Sequence, residues 1–154
     1  MHPKLKNLTA ATALSLAALT APAHAEMIAK TSPHSVAETI DRLEAAVKAA
    51  GATVFARIDH AAGAKSVDQD LRPTQLLIFG NPKLGSPAMQ DAQTAGLDLP
   101  LRVLAYADGE GVVHVTYHAP SSLVATHGLP ADAPYLKMMT GALDKLTSKA
   151  VAAE

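Results

Sequence analysis

The sequence has no cysteine and no tryptophan, and its aromatic content is limited to three tyrosines and two phenylalanines. Without cysteine the chain can form no disulfide bond, thiolate metal site, covalent c-type haem attachment or cysteine nucleophile. Charged residues make up 18% of the chain and the formal net charge is −1. No basic field of the kind that attracts nucleic acid is present, so we expect no nucleic-acid partner.

The apolar content, by contrast, is high. Hydrophobic residues account for 49% of the 154 positions, which is too large a share for a chain that is disordered by composition. A chain of this length corresponds to about one domain and can bury a core of its own.

The first 25 residues have the pattern of a secretory signal peptide. Lys4 and Lys6 precede an apolar stretch from Leu8 to Leu19, and Ala23-His24-Ala25 is a small-x-small cleavage signature. We therefore predict a signal peptide over residues 1–25 and a single domain over residues 26–154. The mature protein is expected to be periplasmic or secreted and to have no membrane span after cleavage.

Two stretches of the predicted domain have the periodicity of amphipathic helices. In the first, Ser35 and Glu38 form a capping box and Gly51 supplies the stop signal. The second covers residues 133–150. Their apolar stripes are Val36, Ile40, Leu43, Val47 and Ala50 in the first, and Leu136, Met139, Leu143, Leu146 and Ala150 in the second.

About five stretches have strand composition, near residues 27–31, 53–59, 75–79, 99–106 and 112–118. Side chains alternate along a strand, so Val54, Ala56 and Ile58 are predicted to share one face. Asp108-Gly109-Glu110-Gly111 favours a hairpin between the last two strands.

Two weaker elements complete the secondary structure. Residues 86–95 predict a short helix capped by Ser86, and residues 60–72 a loop with about one helical turn. Two long helices and consecutive strands together predict an α+β fold, with a mainly antiparallel sheet and both helices packed on one face.

Four short motifs, in this order, resemble the domain of unknown function 302 family over about residues 33–150. They are Asp59-His60, Gly80-Asn81-Pro82, Asp98-Leu99-Pro100 and His127-Gly128-Leu129. The resemblance implies a TATA-binding-protein-like α+β fold ordered strand, helix, four strands, helix, and it suggests a homodimer. It implies no activity, because none is assigned to the family.

His60 and His127 are the first candidates for a functional site, because both follow regular elements, where a scaffold can present loop residues. The functional hypothesis is a ligand or metal pocket that brings them together, with Asp59 orienting an imidazole and the Asn81-Pro82 turn forming a wall. The alternative is structural: His60 caps a strand end and His127 hydrogen-bonds loop backbone.

Other side chains leave two further functional classes open. Met138, with the histidines, allows a metal- or haem-binding redox protein. Ser121 and Ser122 allow a small hydrolase, although no G-x-S-x-G motif surrounds them and Ser121 fits a helix cap. His114 and His118 share a strand face, but about 13 Å separates their backbones, too far for one metal ion.

The sequence therefore predicts an exported, non-catalytic binding or accessory protein of the cell envelope that forms a homodimer. A metal- or haem-binding redox protein is the alternative, and a small hydrolase is the second alternative. The identity of any ligand, metal or cofactor is left open, as is the question of whether a reaction is catalysed.

Overall fold

The computed structural model describes residues 26–153, so the predicted signal peptide lies outside the described residues. The elements follow one another in this order: β1 (Met27–Ser32), α1 (Val36–Ala49), β2 (Thr53–Asp59), α2 (His60–Lys65), β3 (Thr74–Gly80), α3 (Pro82–Asp91), a 3-10 helix (Gln93–Leu97), β4 (Leu101–Ala107), β5 (Val113–His118), α4 (Ser122–His127) and α5 (Pro134–Ala150).

The five strands form one sheet in the order β1-β5-β4-β3-β2, and every neighbouring pair is antiparallel. The two long helices, α1 and α5, contribute their stripes to the same apolar cluster as one face of this sheet. The predicted α+β class is thus confirmed. With the short helices set aside, so is the order strand, helix, four strands, helix.

Helix α1 begins and ends where its sequence signals indicated. The Ser35 hydroxyl accepts a hydrogen bond from the Glu38 backbone N–H at 3.2 Å, and Gly51 after the helix adopts a φ of 72°. That left-handed conformation carries little penalty for glycine, which lacks a Cβ. Ile40, Leu43 and Val47 are fully buried, and each such side chain contributes about 1.5–3 kcal/mol to the free energy of unfolding.

The core consists of two clusters. The larger lies between the sheet and the two long helices and includes Leu77, Phe79, Val103, Val115 and Tyr117 from the sheet. The smaller lies beyond one end of the sheet and joins α3, the 3-10 helix, α4 and the first turns of α5. Its buried members are Ala88, Ala95, Leu123, Leu129, Ala133, Tyr135, Leu136 and Met139.

The opposite side of the sheet, called here the open face, is also apolar in its middle. Leu77, Val103 and Val115 point to the helices, so alternation places Leu76, Ile78, Leu104 and Thr116 on the open face. The cross-strand pairs Leu76–Leu104 and Leu76–Ile58 set these apolar side chains beside one another. Ile58, on this face, is 38% exposed. His114 and His118 also lie on the open face, because they alternate along β5 with the buried Val115 and Tyr117, as predicted.

A bulge in β2 changes one predicted face. The pairing of β2 with β3 shifts between Val54 and Ala56, so the extra residue Phe55 is inserted between them. Val54 therefore packs on the helix side with the core, whereas Ala56 and Ile58 pair with open-face residues. The prediction that all three share one face was wrong, because strict alternation fails across a bulge.

The start of α3 and the capping of α4 differ from expectation. Helix α3 begins at Pro82, not after Ser86, because the Asn81 side chain accepts a hydrogen bond from the Lys83 N–H at 3.0 Å and caps the helix five residues earlier. Ser121 precedes α4 but makes no capping hydrogen bond with its side chain. Residues 60–65 form the short helix α2, where about one helical turn was predicted.

Candidate functional site

Asp59 and His60 lie at the junction of β2 and α2. An Asp59 carboxylate oxygen accepts a hydrogen bond from the Ala62 N–H at 2.9 Å, which caps α2, and the other accepts from Gln75 Nε2 at 3.1 Å. His60 is the first residue of α2 and is exposed. The carboxylate of Asp59 therefore holds backbone and a neighbouring strand, and it is not hydrogen-bonded to the imidazole of His60.

His127 is the last residue of α4 and is held on both ring nitrogens. Its Nε2 lies 2.7 Å from Asp98 Oδ2, and its Nδ1 lies 3.2 Å from Thr94 Oγ1. An ionised carboxylate only accepts, so Nε2 carries the proton in this contact. The His127 side chain is 4% exposed, and Gly128 after it has a φ of 71°, which ends the helix.

The Asp98 carboxylate joins His127 to Arg102. Asp98 Oδ1 accepts from Arg102 Nη2 at 2.6 Å, while Oδ2 faces the imidazole. The hydrogen bond from His127, together with the charge of Arg102, lowers the pKa of Asp98 below its ordinary value. We call Asp98, His127, Arg102 and Thr94 the Asp98 cluster; it fixes the segment that leads into β4.

The structure does not bring His60 and His127 together. Asp59, next to His60, pairs with Gln75 at one end of the sheet. Leu101, which follows the Asp98 segment, pairs with Phe79 at the other end. Among residues 26–153 no group of three or more His, Asp or Glu side chains could hold a metal ion. Metal or haem binding by either histidine separately stays a prediction.

A cavity lies at the same end of the sheet as the Asp98 cluster, and we call it the Pro100 cavity. Its volume is about 290 Å³, close to the lower limit for small-molecule sites. Of the residues predicted to form one pocket, Asn81 and Pro82 line this cavity, whereas Asp59, His60 and His127 do not. Its lining consists of Phe55, Gly80, Asn81, Pro82, Leu84, Gly85, Ser86, Met89, Leu99, Pro100, Leu101 and Met139.

Two local features keep the walls of this cavity in place. Asn81 caps α3, so the cavity-lining residues of that helix, Pro82, Leu84, Gly85, Ser86 and Met89, are held in a fixed helical arrangement. Gly80 lies against Pro100: a Cβ added at Gly80 would come within 3.3 Å of the Pro100 Cβ. The preceding peptide bond, Leu99–Pro100, is cis. The cavity is thus closed on one side by β3 and on another by the segment that the Asp98 cluster anchors.

Of the two serines considered for hydrolysis, Ser122 makes a local side-chain contact. Ser122 Oγ donates to the Ala119 carbonyl oxygen at 2.7 Å, and the His127 ring is engaged by Asp98 and Thr94. A serine nucleophile needs a base within hydrogen-bond reach. The geometry of these groups does not favour the hydrolase, which stays an untested alternative.

Several residues of this region escaped the sequence reasoning. Phe55 was assigned to a regular strand, although the bulge places it at the cavity. Asp98 and His127 each belong to one of the four motifs that carry the family resemblance. Their joint presence in that set was a signal from which their contact could have been inferred. Arg102, four residues after Asp98, had no such signal.

Comparison with known proteins defines the relationship of the chain. The sequence profile of the family described as "Domain of unknown function DUF302" matches residues 28–146. The chain belongs to the DUF302 family. This confirms the resemblance inferred from the four motifs. A solved DUF302 protein from Bacillus stearothermophilus has the same fold, with a TM-score of 0.64 at 21% identity; the match covers 81% of this chain and 94% of that one.

Curated relatives of this DUF302 chain carry the name of a channel. This chain is 49% identical over 117 residues to "Fluoride-specific ion channel FluC 1" of Brucella suis, and the match covers 75% of this chain and 46% of that protein. A Brucella abortus protein of the same name and "FluC 2" of Brucella melitensis give the same identity, with 43% of each covered. The chain thus spans less than half the length of these relatives. No helix within residues 26–153 is long and apolar enough to cross a membrane.

Proposed function

We propose that this DUF302 protein is an exported, non-catalytic accessory protein of the cell envelope that binds a small apolar ligand in the Pro100 cavity. The observation that carries the proposal is the cavity itself, which has a volume of about 290 Å³. Ten of its twelve lining residues have no polar side chain, and the other two are Asn81 and Ser86. Burial of apolar surface is the main source of affinity in such a site, and the few polar groups orient the ligand.

The environment of the reactive side chains supports a binding role over a catalytic one. Asp59 and Asn81 cap helices, and His127 and Asp98 hold each other. At the end of the sheet where the cavity lies, the groups that a catalyst could use for proton transfer, His127 and Asp98, are engaged in fixing the segment that borders the cavity, and a fixed wall lowers the entropy lost when a ligand is bound.

The binding proposal is tested with indole, a neutral aromatic probe, by isothermal titration calorimetry. Gly85→Leu fills the cavity with a new side chain, because a Cβ at Gly85 has only the Met89 methyl carbon near it, at 3.9 Å. Phe55→Ser removes an exposed wall residue, and Val67→Ser, 64% exposed and outside the cavity, is its matched control. We expect both cavity variants to weaken indole binding about tenfold or more.

The control Val67→Ser is expected to bind indole as the unaltered protein does. Absence of binding at millimolar indole, or equal affinity in Gly85→Leu, would contradict the proposal.

Export is tested by fractionation. We expect the protein in the periplasmic or external fraction, with a mature sequence that begins at Glu26. Retention of Lys4 and Lys6 in the purified protein would refute cleavage at the predicted site. The support for export is the signal-peptide pattern of residues 1–25.

We also propose that two copies associate through the open face. Its support is the partly exposed apolar group formed by Ile58, Leu76, Ile78 and Leu104, since large exposed apolar patches mark interaction surfaces. Light scattering should give twice the mass of one chain, and Leu104→Lys should give a folded monomer. An unaltered protein that remains monomeric at high micromolar concentration would rule the dimer out.

A second candidate function follows from the curated relatives: an accessory role beside a fluoride channel. Its support is the 49% identity over 117 residues with proteins named as fluoride-specific channels. Deleting the gene in the organism that encodes the chain should then increase growth inhibition by fluoride but not by chloride. Equal fluoride sensitivity of the deletion and parent strains would reject this candidate.

A further inference from the structure

A second cavity, separate from the one assigned above, lies on the other side of the segment that runs from Asp98 to Arg102. We call it the Arg102 cavity. Its volume is about 230 Å³. Leu101, Leu123 and Leu143 contribute apolar side chains, Arg102 and His118 contribute basic ones, and Asp98 contributes a carboxylate whose two oxygens are engaged by Arg102 and His127. Leu101 also lines the Pro100 cavity. The combination of a guanidinium and an apolar lining distinguishes this cavity from its neighbour.

Arg102 has hydrogen-bond donors to spare. Both of its contacts use Nη2, which lies 2.6 Å from Asp98 Oδ1 and 3.4 Å from the Leu97 carbonyl oxygen. Arginine has five N–H donors, and those on Nε and Nη1 have no partner among residues 26–153. The guanidinium is therefore held in position by one edge while other donors remain available to an incoming acceptor.

The Asp98 carboxylate uses only part of the donor capacity at this cavity. One of its oxygens accepts from Arg102 Nη2 and the other faces His127 Nε2, so neither contacts Nε or Nη1 of Arg102. His118, at the end of β5, is exposed, and its imidazole has no hydrogen-bond partner within the described part of the chain. It adds one or two N–H donors, depending on its protonation, at the same cavity.

We propose that the Arg102 cavity binds a small organic carboxylate with a short apolar body. The carboxylate accepts hydrogen bonds from Arg102 and His118, because guanidinium groups match carboxylate oxygens in geometry and charge. The apolar body contacts Leu101, Leu123 and Leu143. The cavity volume equals that of about eight water molecules at ~30 Å³ each, which suits a molecule of the size of hexanoate.

The test is a calorimetric titration of the purified protein with hexanoate, hexanamide and inorganic phosphate. Hexanamide has the same apolar body without the charge, and phosphate has the charge without the body. We expect hexanoate to bind with a dissociation constant in the millimolar range or below, and each of the other two to bind at least tenfold more weakly.

Variants then locate the bound carboxylate. Arg102→Met should weaken hexanoate binding about tenfold or more, and His118→Asn by a smaller factor. Arg72→Met is the matched control: Arg72 is exposed and donates only to the Ala107 carbonyl oxygen at the far end of β4. It should leave the affinity for hexanoate unchanged. Thermal unfolding of each variant confirms that it is folded.

Three results would overturn the proposal. They are hexanoate binding that is undetectable at millimolar concentration, hexanoate binding that is unchanged in Arg102→Met, and phosphate binding that is tighter than that of hexanoate. Gly85→Leu separates the two cavities. Loss of hexanoate binding in this variant, with Arg102→Met unaffected, places the carboxylate in the Pro100 cavity. Indole binding tests that other cavity independently, so either proposal can fail while the other stands.

Discussion

The contact between His127 and Asp98 can be measured as a coupling energy with a double-mutant cycle. The variants are His127→Ala, Asp98→Ala and the double variant, and the assay is urea-induced unfolding at pH 7. Hydrogen bonds to charged groups contribute about 1.5–3 kcal/mol to the free energy of unfolding. The Asp98 side chain is 39% exposed, so solvent screening reduces this value, and we expect a coupling of about 1–2 kcal/mol.

The same contact gives stability a defined dependence on pH. The folded state lowers the pKa of Asp98, so the stabilisation is present above the pKa of the unfolded state, about 3.9. It is lost as the pH falls through the lower, folded pKa. Asp98→Asn removes this titration, whereas Asp70→Asn, at an exposed carboxylate, is the control. A coupling below about 0.5 kcal/mol, or equal acid sensitivity of Asp98→Asn and the unaltered protein, would refute the reasoning.

Two further predictions concern the smaller core cluster. Burial and the hydrogen bond to Asp91 raise the pKa of Tyr135 to about 12, so the unfolded state releases its proton first, and stability should fall between about pH 10 and 12. In Tyr135→Phe this alkaline loss should be smaller, as followed by circular dichroism; an unchanged profile contradicts the assignment. Met139 is 1% exposed and Met138 51%, so Met139→Ala should cost about 2–5 kcal/mol and Met138→Ala less than about 0.5 kcal/mol in urea unfolding. Similar losses for both would contradict the burial.

The main elements of the fold were predictable because their signals are local and periodic. The Ser35 cap, the apolar stripe of α1 and the stripe of α5 each follow from spacing along a few turns. The start of α3 was not predicted, because two segments offered similar signals: Asn81 followed by Pro82, and Ser86 followed by Pro87. Local chemistry alone did not decide between them, whereas the observed cap uses the Asn81 side chain.

The candidate site was predictable only in part. Asn81 and Pro82 line a cavity, since a rigid turn at the end of a strand borders whatever lies beside it, but their role in ligand binding stays a prediction. The pairing of His60 with His127 was a guess about distance in space, and it depended on the strand register. Register places them at opposite ends of the sheet. The partner of His127 is Asp98, 29 residues away along the chain, and no periodicity connects the two.

The bulge at Phe55 has a consequence for solubility. Strand β2 is one edge strand of the sheet. An edge strand exposes unpaired backbone N–H and C=O groups that can pair with strands of other molecules, which is a route to fibrils. The irregular pairing between Val54 and Ala56 distorts this edge strand and makes it a poor template for another strand. The opposite edge strand, β1, carries Lys30, tied to Asp144 at 2.7 Å, and lysine on an edge strand has the same protective effect. Both edge strands of the sheet therefore have a feature that disfavours the addition of a strand from another molecule.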